Sequence, residues 1–155
     1  MILVEIKGIK DRIEFLSRLN DKISNPVQPL NKSGSYMQQE ALRNFTEEGA
    51  VMQVGGWEPL KQVTLDIKED EGYGDQPIMV REGNLRDSFY KSDPKVSQRE
   101  SSISVYNPVK YAKFHQTGYG VPQRVLLRLR EGHISKITNI FLDWIKRSIS
   151  SSFTK

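Results

Sequence analysis

Tyr111-Ala112-Lys113-Phe114-His115-Gln116-Thr117-Gly118, followed by Pro122-Gln123-Arg124, is the stretch from which the fold of this chain is read. It gathers Tyr111, Phe114, a histidine, a glutamine, Gly118, Gly120, a proline and an arginine into fourteen residues, a mixture that ordinary helix or strand filler lacks. Asn107-Pro108 ahead of it predicts a helix start, since Asn caps free amides and Pro at the first helical position gives up only an unpaired N–H. Val109, Ala112 and His115 or Gln116 then share one narrow face, and Gly118 supplies the positive φ that ends the helix. Beyond Pro122, Val125, Leu127 and Leu129 alternate with Arg124, Arg128 and Arg130, Leu126 being the exception, which is the pattern of a half-buried strand. The unit reads as helix, glycine-rich loop, basic-edged strand.

Upstream of this unit, Ile103 and Val105 alternate with Ser102 and Ser104, and together with Val96 predict a hairpin turning around Gln98 to Ser101. Gln76-Pro77-Ile78-Met79-Val80 reads as a short extended segment, and Gly83 to Phe89 as a helical turn with Leu85 and Phe89 on one side. Glu69-Asp70-Glu71 with Gly72 and Gly74 lacks the oxygen spacing and closing glutamate of an EF-hand and reads as a solvated loop. Gly55-Gly56-Trp57 allows a tight turn that places Trp57 as a core plug, and a short helix after Pro59 has Leu60, Val63, Thr64 and Ile67 as its expected inner face.

Nearer the start, Met1 to Lys7 reads as a strand, and Ile13, Leu16, Leu19 and Ile23 keep helical spacing from Ile9 onward. Asn25-Pro26-Val27-Gln28-Pro29 is expected to break that helix and form a loop, because each proline disfavours helix in the residue before it. A second helix is expected from Ser35 to Glu48, stopped by Gly49. Downstream, Ile134, Ile137, Phe141, Trp144, Ile145 and Ile149 describe the most regular helix, from about His133 to Ser150, with residues 148–155 as a polar, flexible tail.

The 155 residues are read as one domain, with hydrophobic and charged fractions of 37% and 27% that suit a globular rather than a disordered chain. No apolar run approaches 18 residues and no secretory leader is visible, so no membrane partner is expected. Cysteine is absent, which removes disulfides and thiolate metal sites. Charge is lopsided: residues 1–75 hold 9 Lys/Arg and 13 Asp/Glu, net −4, and residues 76–155 hold 14 and 6, net +8. Such a subunit can present its basic part to nucleic acid or meet a like subunit head to tail.

His115 is the obvious general acid or base, but no acidic residue lies between Tyr106 and Arg130 to tune it. The favoured reading is that His115 and Gln116 brace the glycine loop by hydrogen bonds while Arg124 ties it to a carboxylate or carbonyl. His115 and His133, the only histidines, stand 18 residues apart, and no nucleophile turn or phosphate loop is present, so no enzyme, metal or cofactor is expected. The rival is sequence-independent nucleic-acid binding by the 110–130 region, where Lys110, Lys113, Arg124, Arg128 and Arg130 mix with Tyr111, Phe114 and Tyr119.

Tyr-Ala-x-x-His-Gln-x-Gly followed by Pro-x-Arg resembles the signature of the phage virion morphogenesis family, the small tail-completion and head-to-tail proteins of Mu-like and P2-like bacteriophages. Two upstream stretches agree in order: Gly56-Trp57-Glu58-Pro59-Leu60 with Thr64 and Lys68, and Pro77 to Val80 running into Gly83-Asn84-Leu85-Arg86-Asp87-Ser88-Phe89. The family pattern usually has Thr ahead of that glycine, where this chain has Glu82. The resemblance implies a structural virion protein of the tail-top or neck, made in the bacterial host cytoplasm. It further implies a homo-oligomeric ring, six-fold to match the tail, with tail-tube and connector or neck proteins as partners and DNA passing without sequence readout.

The expected fold is α+β: a small, mostly antiparallel sheet from segments 78–80, 96–106 and 124–130, joined by the N-terminal strand, with N- and C-terminal helices packed on one face. Interaction residues are expected at Trp57, Gly83, Tyr111, His115, Gln116, Gly118, Arg124, Arg128 and Arg130. Residues Asn25 to Ser35 and Gly72 to Gln76 are expected to order against neighbouring subunits.

Overall fold

The computed structural model describes residues 9–90, 94–97, 99 and 101–153; the strand expected over Met1–Lys7 lies outside them. The elements run α1 (Ile9–Ile23), α2 (Val27–Thr46), α3 (Gln62–Asp70), α4 (Asn84–Tyr90), β1 (Lys95–Ser97), β2 (Ser102–Ser104), α5 (Ala112–Thr117) and α6 (Glu131–Phe153). This is an α+β arrangement in which a small antiparallel sheet is flanked by the N- and C-terminal helices.

Helix α2 is the backbone of the core. It begins at Val27 rather than near Ser35, so the segment expected as a loop is its first turn. Pro26 is the N-cap and Pro29 the third helical residue, where the missing N–H would have had no intrahelical acceptor; the first helical bond, Leu30 N to Pro26 O at 3.0 Å, comes one residue later. Two prolines in the first turn therefore cost the helix nothing. Its inner face then buries Leu30, Met37, Ala41 and Phe45 at helical spacing.

Phe45 is fully buried and meets Trp57 edge-on at 5.5 Å and Phe89 of α4 at 6.1 Å. Trp57 reaches this position because the chain doubles back after α2: Gly49 N donates to Asn44 O at 2.8 Å, and Trp57 N donates to Glu48 O at 2.7 Å. Gly49 has φ of 91°, and a Cβ there would stand 2.3 Å from Trp57 Cδ1, so the indole lies directly on the glycine backbone.

The hairpin pairs Lys95 with Ser104, Val96 with Ile103 and Ser97 with Ser102. It has two strands among the described residues, fewer than the sequence pattern suggested. Segment 78–80 is a turn, with Met79 at φ of 66° and Val80 N bonded to Pro77 O at 3.0 Å. Pro77 has no N–H to give a ladder, and the carbonyls of Gln76 and Pro77 are taken by Lys68 Nζ at 2.7 and 3.1 Å. Lys68 is accordingly the one buried residue of α3, and burial pulls its ammonium below the usual lysine range against an opposing pull from Glu48. The row expected to face inward is turned out: Val63 is 68% and Ile67 48% exposed.

Helix α6 runs on to Phe153, so residues 148–153, expected as a flexible tail, are helical. Ser148 and Ser152 are buried there, their hydroxyls bonded to Trp144 O and Ser148 O. Against this end packs α1, with Phe15 stacked on Phe153 at 4.6 Å and Lys22 Nζ donating to Ser151 Oγ at 2.9 Å. Over residues 10–23 of α1 only Phe15 and Leu19 are half-buried; Ile13 and Leu16 remain 61% and 59% exposed, contrary to the inner face their spacing predicts.

Because Gly49 combines a left-handed backbone with contact against Trp57, Gly49→Ala is expected to destabilise the fold by about 2–4 kcal/mol, through strain plus displacement of a core indole. Urea unfolding with a Trp fluorescence readout measures it.

Candidate functional site

The conspicuous polar construction in the molecule surrounds the extended segment Arg124–Arg130. The sequence pattern suggests a strand here, but the segment pairs with none among the described residues and its backbone bends at Leu127. Its hydrogen-bonding groups are met by side chains instead. Gln53 Oε1 accepts from Val125 N at 3.1 Å, while Asn44 Nδ2 and Trp57 Nε1 donate to Val125 O at 2.9 and 3.1 Å. Gln116 Oε1 accepts from Leu126 N at 2.8 Å and Leu127 N at 3.1 Å, and Gln116 Nε2 donates to Leu127 O at 2.9 Å. One primary amide thus does what a neighbouring strand would do. Burial departs from strict alternation as a result: Val125 and Leu126 are both buried and Leu129 is 58% exposed.

Helix α5 delivers Gln116 to this position. Asn107 Oδ1 accepts from Val109 N at 3.0 Å and its amide donates to Leu85 O at 3.0 Å, so Asn107-Pro108 makes a side-chain-closed turn and the helix starts one turn later than expected, at Ala112. Gly118 closes it at φ of 76° with its N–H on Phe114 O. The loop then returns, Arg124 N donating to His115 O at 2.8 Å and Gln123 Nε2 to Gln116 O at 3.1 Å.

Arg124 is buried and donates from Nη2 to Glu58 O at 3.3 Å, while its Nε has no partner. Burial lowers its pKa, and Glu58 partly offsets this. His115 lies beside it with Nδ1 likewise buried and unpartnered and with the Tyr111 ring edge-on at 6.2 Å. Burial first, and the Arg124 charge second, hold the imidazole below its ordinary pKa. Both side chains line a cleft of about 510 Å³ whose other walls include Leu60, Thr64 and Ile67, with Tyr111 at the side.

Carboxylates near the cleft have partners of their own. Asp87 is held by Arg86 at 2.7 Å, and Glu82 accepts from Asn84 at 3.0 Å beside Gly83, whose φ is 83°. Among the described residues no three His, Cys, Asp or Glu side chains group as metal ligands, and no helix is long and apolar enough to cross a membrane.

The basic residues of 110–130 are divided. Arg130 Nη1 donates to Ala50 O at 3.0 Å and Val51 O at 3.1 Å, tying the segment to the loop after α2, and Arg124 is spent on Glu58. Arg128 is exposed, as are Lys110 and Lys113, so the five cations do not form the single surface that nucleic-acid binding required. The spacing of the sequence gave no sign of Asn44, Gln53 or His133. His133 Nδ1 accepts from Arg130 N at 3.2 Å, as the third residue of a helix does in a capping box, and its Nε2 faces Glu40 Oε2 at 3.5 Å. The interval from Arg130 to His133 was the available clue.

A protein-family model described as the phage virion morphogenesis family matches residues 4–146. No curated protein and no solved structure matches significantly.

Gln116→Ala is expected to cost about 2–4 kcal/mol, since two N–H groups and one carbonyl of a buried segment lose their partner; denaturant unfolding checks this. The depressed pKa of His115 means that the unfolded chain binds the proton more readily. Its neutral form therefore imposes no penalty above about pH 6.5, and stability is lost as pH falls from there through the folded-state value. The thermal midpoint should drop more between about pH 7 and 5 in the natural chain than in His115→Gln.

Proposed function

The chain belongs to the phage virion morphogenesis family, and from that premise we propose that it is the subunit of a ring, six-fold like a tail tube, closing the top of the tail. Tail completion and joining to the head are structural tasks, and the chain is a structural protein of the phage tail, not an enzyme. Its neighbours in this reading are further copies of itself, tail-tube protein on one side and connector or neck protein on the other. Synthesis takes place in the bacterial host cytoplasm. DNA crosses the ring without sequence readout, past exposed cations such as Lys113 and Arg128.

The observation that carries the proposal is the match over residues 4–146, joined to the use made of its most distinctive residues. Gln116, Gly118 and Arg124 are engaged in shaping the chain's own backbone. That is the work of a rigid interlocking part. Trp57 serves the same segment from the opposite side.

In a phage encoding this chain, removing its gene is expected to leave filled heads and unjoined tails under the electron microscope, and supplying the chain in trans should restore complete particles. Normal joined particles without it would overturn the proposal.

A further inference from the structure

Among the described residues, three apolar rows of regular helical spacing remain exposed. On α6, Ile134, Leu142, Ile145 and Ile149 are 53%, 46%, 38% and 36% exposed, beside a separate buried row that already supplies the core contact. On α1, which packs against α6 through Phe15 and Phe153, Ile13 and Leu16 are likewise exposed. The third row is Val63 and Ile67 of α3. Exposed apolar residues in rows of this kind suit an association face.

The two surfaces differ in charge. Over their full lengths α1 and α6 together hold seven Lys/Arg against five Asp/Glu, with Lys136, Lys146 and Arg147 along α6. Residues 58–75, which contain α3, hold six Asp/Glu against two Lys, one of which, Lys68, is turned inward to carbonyls. Identical α1–α6 faces meeting each other would set like charge against like; α1–α6 against α3 sets net positive against net negative.

We propose that the α1–α6 face of one copy packs on the α3 face of the next, with α6 lying along Val63 and Ile67. This deepens the ring reading and rests on it. Two different patches joined head to tail can close into a ring when the rotation between copies permits, whereas one self-complementary patch stops at a dimer. Ile67 also lines the cleft that holds His115 and Arg124, so the docked helix covers that cleft, and the paired motif residues end up beneath the joint between subunits.

Because the natural sequence has no cysteine, single cysteines report the contact directly. Val63→Cys and Ile145→Cys change exposed positions, so both variants should fold. Oxidised as a mixture at concentrations where native mass spectrometry shows an oligomer, they are expected to yield a disulfide-linked pair, and the double variant a ladder beyond the dimer. Each single variant alone should remain uncrosslinked. Efficient linking of Ile145→Cys to itself would show α6 meeting α6 and overturn the proposal, as would an oligomer with no crosslink in the mixture. In both cases the ring reading survives if the mass shows more than two copies. A chain that stays monomeric at millimolar concentration and low salt would overturn the ring and this contact together.

Discussion

An extended peptide that crosses a protein interior must find partners for its N–H and C=O groups, and here it finds them in side chains. Val125 to Leu127 runs between α5 and the loop after α2, where the amides of Asn44, Gln53 and Gln116 and the indole of Trp57 close its hydrogen bonds. A sheet would have supplied the same bonds from one neighbouring strand. Taking them from four residues scattered over the sequence instead couples α2, the Trp57 loop and α5 into one unit. Losing any partner exposes the others to an unsatisfied buried group, a cost of about 1–3 kcal/mol for each. Met52 contributes the softest of these contacts, its sulfur accepting from Arg128 N at 3.4 Å.

This arrangement accounts for what could be read in the sequence. The period of two in Val125, Leu127 and Leu129 suggests a strand, but it says nothing of what lies beside the backbone, and the segment has no strand partner among the described residues and bends at Leu127. Asn44 lies 81 residues from Val125 and Gln53 72, and an amide on a helix or in a loop looks like solvated filler until the fold is known. Local features were legible because their causes are local. Gly118 ends α5 as a left-handed cap, Leu85 and Phe89 share a buried face of α4, and Val96 opposes Ile103 in the hairpin. The start of α2 at Val27 has a local cause too: Pro29 lies in the first helical turn, where a missing N–H breaks no intrahelical bond.

The remaining disagreement has a different character. Leu60, Val63 and Ile67, and likewise Ile13 and Leu16, have the spacing of buried helix faces, and the single chain leaves most of that surface in water. Helical spacing of apolar residues marks a face that favours burial, but it does not say whether the same chain covers it; on α1 and α3 the fold leaves Ile13, Leu16, Val63 and Ile67 exposed.

The family's motif and α3 are tied to one body. The motif fixes α5 and segment 124–130 against α2, so that the walls of the cleft keep their separation, and α3 is anchored to the same body by Lys68 reaching the carbonyls of Gln76 and Pro77. A joint between subunits under the load of a tail needs faces that do not shift when pressed, and preorganisation of this kind lowers the ordering cost of association. His115 and Arg124 belong to the same frame: the His115 carbonyl accepts from Arg124 N at 2.8 Å and the Arg124 guanidinium donates to Glu58 O at 3.3 Å, so the loop between α5 and segment 124–130 is held at both ends.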